Sequence, residues 1–187
     1  MRAKIVTALA ALLSLIAAAQ AVGTQPAALT ASGLWQATDE ETGQPTGWFL
    51  IRDHDGVYDG IIAKMFLQPG QDPNVACAQC RDDRHNKPWL GLEIIRGMKQ
   101  EGLTYEEGSI LDPRDGNVYS AMMTLAPDGQ TLVVRGYLGI SLLGRNQYWT
   151  RLPDTAYNEL DPSINPKPAA HPRKSQVPPK PENSAKH

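Results

Sequence analysis

Short runs of alternating apolar and polar residues, separated by turn signals, occupy most of the chain between residues 33 and 152. Alternation with a period of two is typical of β-strands, and Asp-Gly pairs between such runs are typical of tight hairpin turns. Three pairs of this kind occur, Asp55-Gly56, Asp115-Gly116 and Asp128-Gly129. The pattern predicts about eight or nine short strands and almost no helix. The predicted strands cover residues 33–38, 47–52, 57–66, 90–96, a hairpin at 97–105 with its turn near 101–102, 108–111, 118–125, and two strands within 131–151.

Strands that follow one another through tight turns pair with their neighbours in antiparallel fashion. Closing such a meander removes the exposed strand edges that invite aggregation. We therefore predict an all-β domain, a closed antiparallel up-and-down barrel of about eight strands, and keep an open β-sandwich as the alternative. A barrel of eight strands encloses either its own side chains or one small ligand. Gly60, inside a predicted strand, indicates a bend or a bulge.

Two termini flank this domain. Residues 1–21 are typical of a signal peptide, with Arg2 and Lys4 before a short apolar core and a small-x-small cleavage site ending at Ala21. A membrane anchor is the alternative, but the apolar core is short for a bilayer span of about 20 residues. We expect a periplasmic or secreted protein, with a lead-in at 22–32 and a barrel domain at 33–152. Residues 153–187 hold 8 of the 15 prolines and are predicted to be a disordered tail.

The charge of the predicted domain argues against nucleic acid as a partner. The whole chain has 18 Lys and Arg against 20 Asp and Glu. Removing the two cations of residues 1–21, and the five cations and four acids of residues 153–187, leaves 11 cations and 16 acids, a net charge of −5. A nucleic-acid surface needs a clustered basic face instead. No other apolar run of the sequence is long enough to span a membrane.

Tryptophan and arginine occupy the two strands that meet when the meander closes. Trp35 lies on the first predicted strand and Arg151 at the end of the last one, so the guanidinium is predicted to stack on the indole and seal the barrel. Arg135 and Tyr137 share one face of their strand. If that face points inward, Arg135 is a buried cation that needs an anionic ligand or an acid, for which Glu93 is the candidate. If it points outward, Arg135 is an ordinary surface residue.

Both cysteines, Cys77 and Cys80, lie in a stretch without periodicity at residues 67–88, and long loops of this kind are often functional. In an oxidising compartment the pair is expected to form a small disulfide. A thioredoxin-like redox role needs a strand-to-helix junction, and a zinc site needs two further ligands. The sequence lacks the serine-hydrolase, zinc-protease, phosphate-loop and dinucleotide-binding motifs. We therefore predict no catalytic residue, metal or cofactor.

Several motifs, taken in order, resemble the exported bacterial family catalogued as domain of unknown function 2147. The resemblance covers about residues 33–152 and implies a small exported β-barrel similar to lipocalins. It implies no settled function, catalytic set or cofactor, so it assigns no functional residue. The matching motifs are Gly33-Leu34-Trp35, Tyr58-Asp59-Gly60-Ile61-Ile62, Cys77-Ala78-Gln79-Cys80, Lys87-Pro88-Trp89-Leu90-Gly91-Leu92, Gly108-Ser109-Ile110-Leu111-Asp112-Pro113, Gly116-Asn117-Val118-Tyr119, Arg135-Gly136-Tyr137-Leu138-Gly139 and Leu143-Gly144-Arg145-Asn146-Gln147-Tyr148-Trp149-Thr150-Arg151.

Three hypotheses for the function follow. The first is a binding module for a small, partly apolar or anionic ligand, held in the barrel or at its mouth. The second is an envelope interaction module whose barrel is filled by its own side chains. The third and least favoured is a thiol- or metal-dependent enzyme that uses the two cysteines. The candidate ligand-binding residues are Arg135, Tyr137, Trp149, Trp89 and Glu93.

Overall fold

Eight antiparallel strands form a closed barrel in which each strand pairs with the next and β1 pairs with β8. The computed structural model describes residues 29–141 and 144–165. The predicted signal peptide, most of the lead-in and the end of the tail lie outside these residues. The predicted barrel is confirmed, and the open sandwich is excluded by the β1–β8 pairing. The strands are β1 Gly33–Thr38, β2 Pro45–His54, β3 Val57–Met65, β4 Glu93–Glu101, β5 Thr104–Asp112, β6 Asn117–Leu125, β7 Thr131–Tyr137 and β8 Arg145–Arg151.

The tight turns form where Asp-Gly pairs predicted them. Asp55 and Gly56 both have positive φ angles, 55° and 87°, as a two-residue hairpin between β2 and β3 requires. Gly116 and Gly129 also have positive φ angles and lie between β5 and β6 and between β6 and β7. Gly60 is confirmed as an irregular position, because the pairing of β3 with β4 shifts register on both sides of it.

The start of β4 corrects the sequence prediction. Residues 90–92 form a turn in place of the first half of a strand, because Gly91 has a φ of +81° and the Leu92 amide donates to the Trp89 carbonyl. Ile94 and Ile95 are both buried, next to the register shifts between β3 and β4.

The two ends of the barrel differ. The closed end carries the turns after β2, β4 and β6, together with residues 29–32. The open end carries the other four connections, at residues 39–44, 66–92, 113–116 and 138–144. Tyr58 and Tyr105 pack edge to face inside the closed end, with ring centroids 4.8 Å apart. Their hydroxyl groups bond to Gln100 and to the Ala31 amide, both at 2.7 Å.

The interior is filled from the closed end to about the middle of the barrel. If a void large enough for water lay inside the barrel, the side chains around it would keep solvent-accessible area. The interior side chains at this level are only 0–1% exposed, so they pack without such a void. The strand glycines agree, because a Cβ atom at Gly60 would lie 2.8 Å from Ile51 Cδ1 and one at Gly108 would lie 2.5 Å from Met98 Sδ. The filled interior comprises Trp35, Ile51, Tyr58, Ile95, Met98, Tyr105, Ala121, Met123, Leu125, Leu132, Val134 and Trp149.

A second apolar cluster covers the outer face of β1, β2 and β3. The chain continues past β8 as a 3₁₀ helix, Asp154–Glu159, whose Ala156 is buried, and Leu160 is buried just beyond it. The prediction of disorder is therefore wrong for residues 153–165, because these apolar side chains are needed to cover strand residues that face outward. The cluster comprises Leu34, Trp48, Leu50, Ile61, Ala63, Ala156 and Leu160, with Phe66, Leu152, Tyr157 and Ile164 packed against it.

The long β3–β4 connection is ordered by a disulfide and a buried arginine. The predicted disulfide between Cys77 and Cys80 is present, and the Cys77 Sγ atom lies 3.5 Å from the Pro113 carbonyl oxygen. Arg84 is only 2% exposed; it pairs with Asp82 and donates to the Glu93 carbonyl at 3.1 Å. The connection is thus held against β4 and the β5–β6 turn. Within the described ranges, no helix is long and apolar enough to cross a membrane.

Candidate functional site

Apolar strand side chains that face inward become partly exposed towards the open end of the barrel. The alternation of β5 and β6 brings Ile110 and Tyr119 to the interior there, and both are half-buried. Gly136 of β7 lies between them, since its Cβ atom would be 3.1 Å from Ile110 Cγ2 and 3.7 Å from Tyr119 Cβ. Phe49 and Met65 are also partly buried against the interior cluster. Together these side chains form a shallow apolar surface, which we call the open-end surface.

An aromatic stack forms the base of this surface on one side. The Phe49 and Trp149 rings lie 4.3 Å apart with an interplanar angle of 10°. Phe49 also lies over Gly47, whose Cβ atom would be 3.3 Å from Phe49 Cζ, so a larger residue at 47 would displace the ring. Trp149 is fully buried and donates through Nε1 to Gln147 Oε1 at 3.1 Å. The stack therefore presents an apolar ring beside an exposed amide.

Trp89 lies in the long connection and packs against the interior cluster. Its indole Nε1 is buried and has no hydrogen-bond partner in the part of the chain that the structure describes. An unsatisfied buried N–H group costs about 1–3 kcal/mol, so such a group is normally paired with protein, water or ligand.

Arg135 and Tyr137 lie on the outer face of β7, because the alternate residues Leu132 and Val134 are in the filled interior. The interpretation in which Arg135 points into the barrel is therefore wrong, and the outward alternative holds. The Arg135 guanidinium donates to the Ser141 carbonyl at 2.6 Å and to Asn146 Oδ1 at 2.5 Å. Arg135 thus braces the β7–β8 connection, and binding by these two residues stays a prediction that applies only to the outer surface.

Glu93 is also directed outward, on β4, and forms part of a charged network. It accepts from Arg96 Nε at 2.6 Å and lies 3.9 Å from a terminal nitrogen of Arg52. Arg96 in turn pairs with Asp83, which lowers the pKa of the Asp83 carboxyl well below its usual range. Glu93 was the candidate partner of Arg135 only for an inward-facing arginine, and the two residues lie on β4 and β7, which are not neighbours in the barrel. The network holds the long connection against β4.

The predicted closure contact between Trp35 and Arg151 is present. The two residues are paired across β1 and β8, and the guanidinium carbon lies 4.2 Å from the centroid of the indole ring. Arg151 also donates to three carbonyl groups, those of Gly129, Ser32 and Thr30, at 2.5, 2.8 and 2.6 Å. Burial lowers the pKa of Arg151 from its usual value. Arg151 thereby connects β8 with β1, the segment before β1 and the β6–β7 turn.

Catalytic groups are sparse. No group of three or more His, Cys, Asp or Glu residues within 29–141 and 144–165 could hold a metal ion. The Cys77 and Cys80 sulfur atoms are joined to each other, so neither is available as a thiolate in this state. His85 Nδ1 lies 2.8 Å from the Cys80 carbonyl oxygen, which occupies that ring nitrogen in the loop.

A separate cleft of about 460 Å³ lies between the ends of β1 and β2 and the segment after β8. Among its lining residues are Arg52, Arg151 and Tyr157. The Nε atom of Arg52 is buried and has no hydrogen-bond partner among the described residues. Sequence reasoning gave no reason to single out Arg52, because its strand pattern only placed it at the polar end of β2.

The family model described as an uncharacterized protein conserved in bacteria, DUF2147, matches residues 33–151. The chain belongs to this family. No curated protein matches the chain. The fold is similar to that of protein HP1028 from the human pathogen Helicobacter pylori, whose structure is described as belonging to the lipocalin family. The TM-score is 0.60 at 15% identity, over 71% of this chain and 91% of that one. This member of DUF2147 therefore has a lipocalin-like barrel, and the comparison extends to the fold alone.

Sequence reasoning found Trp149 and the closure pair but missed Phe49 as the partner in the open-end surface. Phe49 was one apolar residue in an apolar run, Trp48 to Ile51, and period-two alternation alone does not say which face of such a run is inside. The C-terminal cover was also missed. Its signal is present in the sequence, because Ala156, Leu160 and Ile164 follow one another at intervals of four, which is a helical spacing.

Proposed function

We propose that this protein is an exported, periplasmic binding module for a small, partly apolar ligand that rests on the open-end surface. The observation that carries the proposal is the change in burial along the interior. Side chains from the closed end to Trp149 leave no room for a water molecule, whereas Phe49, Met65, Ile110 and Tyr119 remain partly exposed. The ligand would therefore lie at the mouth of the barrel and not deep inside it.

The chemistry of the open-end surface supports a ligand with an apolar body and a polar end. Apolar contacts with Phe49 and Met65 would bury the body, and each square ångström removed from water contributes about 25 cal/mol. Gln147 and Arg145, which are exposed and share the strand face of Trp149, would meet the polar end. Lipocalin-like barrels of eight strands are wide enough to hold one small ligand at this position.

A binding assay with an uncharged fluorescent dye, N-phenyl-1-naphthylamine, tests this proposal. We expect enhanced dye emission with the wild-type protein and at least a fivefold weaker dissociation constant for Phe49→Ala, with little change for Tyr148→Ala. Tyr148 is the matched control because it is an aromatic residue on the outer face of β8 and is 53% exposed. Equal effects of the two substitutions, or no binding by the wild type, would contradict the proposal.

Export has its own test. We expect the protein to be released with the periplasmic fraction and to have a mass that corresponds to a chain beginning at Val22. Retention of residues 1–21 on protein that stays with the membrane would contradict this part of the proposal and favour the membrane anchor.

The filled lower interior favours a second candidate function, an envelope interaction module. Leu138 and Ile140, in the β7–β8 connection, are 69% and 61% exposed, and exposed apolar side chains of this kind often mark contact surfaces. Native mass spectrometry of protein purified without added ligand separates the two candidates. A retained small molecule supports the binding module, whereas a clean apo mass together with no dye binding supports the interaction module.

A further inference from the structure

The cleft beside the C-terminal segment has the size of a small-ligand site. Its volume is about 460 Å³, inside the range of roughly 300–1,000 Å³ that is typical of such sites. Strands β1 and β2 form one wall, and residues after β8 form the other. The cleft is distinct from the open-end surface, because it lies on the outside of the barrel and approaches the closed end.

An arginine in this cleft lacks a partner for one of its donors. The Arg52 Nε–H is buried, and no acceptor among the described residues bonds to it. The nearest carboxylate to the terminal nitrogens, that of Glu93, is 3.9 Å away and already accepts from Arg96 at 2.6 Å. Guanidinium groups prefer a carboxylate that accepts two parallel N–H bonds. Arg52 therefore offers such a pair of donors that the protein itself leaves largely unused.

The remaining lining combines apolar walls with charged groups of both signs. Arg151 contributes a second positive charge, and its described hydrogen bonds all go to backbone carbonyl groups, so they do not neutralise it. Leu34, Leu50 and Leu152 provide apolar walls. Two exposed acids, Asp53 and Asp154, also line the cleft and limit how far an anion can extend towards them.

We propose that this cleft is a second binding site, for a small carboxylate with a short apolar body. The carboxylate accepts hydrogen bonds from Arg52, including its buried Nε–H, and the apolar body lies against the leucine side chains. The site is independent of the open-end surface, so it stands even if no ligand binds at the barrel mouth.

Titration of the mature ¹⁵N-labelled protein with hexanoate, followed by amide chemical shifts, tests the proposal. We expect the shifts to concentrate at Ser32, Gly33 and Leu152, which line the cleft. Hexan-1-ol, which has the same chain length without the charge, should bind at least about tenfold more weakly, because a hydrogen bond to a charged group is lost.

Three substitutions sharpen the assignment. Arg52→Gln should weaken hexanoate binding about tenfold or more, and Arg52→Lys should also weaken it, because lysine keeps the charge but has no Nε–H donor in that position. Arg114→Gln is the matched control, since Arg114 is 77% exposed on the β5–β6 turn at the open end. The Arg52 variants should fold, because the Glu93 carboxylate keeps its partner Arg96.

Each other outcome overturns the assignment. Unchanged hexanoate affinity in Arg52→Gln, or equal losses in Arg52→Gln and Arg114→Gln, would show that the bound anion does not depend on this arginine. Shifts confined to Phe49, Met65 and their neighbours would place hexanoate on the open-end surface. Shifts without saturation at any residue would show only non-specific association.

Discussion

Replacing Arg151 by methionine should destabilise the barrel strongly while keeping most of the apolar contact of its side chain. The guanidinium is the shared donor for residues 30 and 32, which precede β1, and for Gly129, in the turn between β6 and β7. It also stacks on Trp35. Methionine is close in length and can still cover the indole, but it donates no hydrogen bond.

The expected loss is about 3 kcal/mol. A carbonyl group left without its donor costs about 1–3 kcal/mol when buried, and Gly129 is buried whereas Thr30 and Ser32 are half-buried. Taking about 1 kcal/mol for each of the three acceptors and about 1 kcal/mol for the cation–π contact gives about 4 kcal/mol. The substitution also removes a partly buried charge, and because burial disfavours the charged form this offsets about 1 kcal/mol of the loss. The net loss in the free energy of unfolding is therefore about 3 kcal/mol.

Urea unfolding followed by tryptophan fluorescence measures this loss. With a slope of about 1.5 kcal/mol per molar, a loss of about 3 kcal/mol lowers the midpoint by about 2 M. Arg114→Gln is the control, because it removes an exposed arginine whose carboxylate partner, Asp112, is only two residues away in the chain. A midpoint for Arg151→Met within about 0.3 M of the wild type would refute the closure role.

A double-mutant cycle with Gly33 tests the geometry of the same contact. A Cβ atom at Gly33 would lie 2.6 Å from Arg151 Nη1, and the φ angle of +135° disfavours any side chain. Gly33→Ala should therefore be destabilising in the wild type and less so beside Arg151→Met, in which the clash is relieved but the backbone strain remains. Equal costs in both backgrounds would contradict the observed approach of Arg151 to Gly33.

Three further predictions concern other parts of the fold. Reduction of the Cys77–Cys80 disulfide should cost only about 2 kcal/mol in urea unfolding, because the closed ring is short; a loss above about 4 kcal/mol would contradict this. Burial, with help from Tyr105 and Asp53, raises the pKa of Tyr58 to about 12, so its neutral form stabilises the fold below pH 10 and this contribution is lost as the pH rises from 10 to 12; a tyrosinate absorbance titration of wild type and Tyr58→Phe that shows ionisation near pH 10 would refute it. Leu160→Ala should destabilise by about 2–4 kcal/mol in the same unfolding assay, whereas a change under about 0.5 kcal/mol would show that the C-terminal cover is not needed.

The closed barrel could be predicted because its signals are local and strong. The Asp-Gly pairs at 55–56, 115–116 and 128–129 specify turns, and Trp35 and Arg151 lie on the first and last strands, which pair when the meander closes. The family motifs between residues 33 and 151 add to the same expectation.

The orientation of β7 could not be predicted, because both of its faces carry apolar residues. Either Leu132 and Val134 or Val133 and Tyr137 could face the interior. Packing against Trp149 and Leu125 places Leu132 and Val134 there. The role assigned to Arg135 depended on that choice. A period of two fixes which residues share a face but not which face is inside.

The open-end surface and the cleft are set by tertiary contacts that a linear pattern does not contain. Phe49 and Trp149 are one hundred residues apart in the chain, and their rings stack inside the barrel because β2 and β8 lie on either side of β1. Arg52 and Tyr157 line one cleft because the chain after β8 turns back over β1 to β3. The prolines of this last region dominated its composition and concealed the four-residue spacing of its apolar side chains.

The closure contact also has a consequence for the order of folding. Trp35 and the carbonyl groups of residues 30 and 32 make their closure contacts with Arg151, which lies about 120 positions later in the chain. These contacts can form only once that residue is present. Until that residue is available, β1 has a free edge, and a free edge can pair with another chain. Contacts so distant in sequence slow the folding of β-proteins. An incomplete chain of this protein is therefore a species that needs protection from association, and truncation before Arg151 should yield aggregates in place of a smaller barrel.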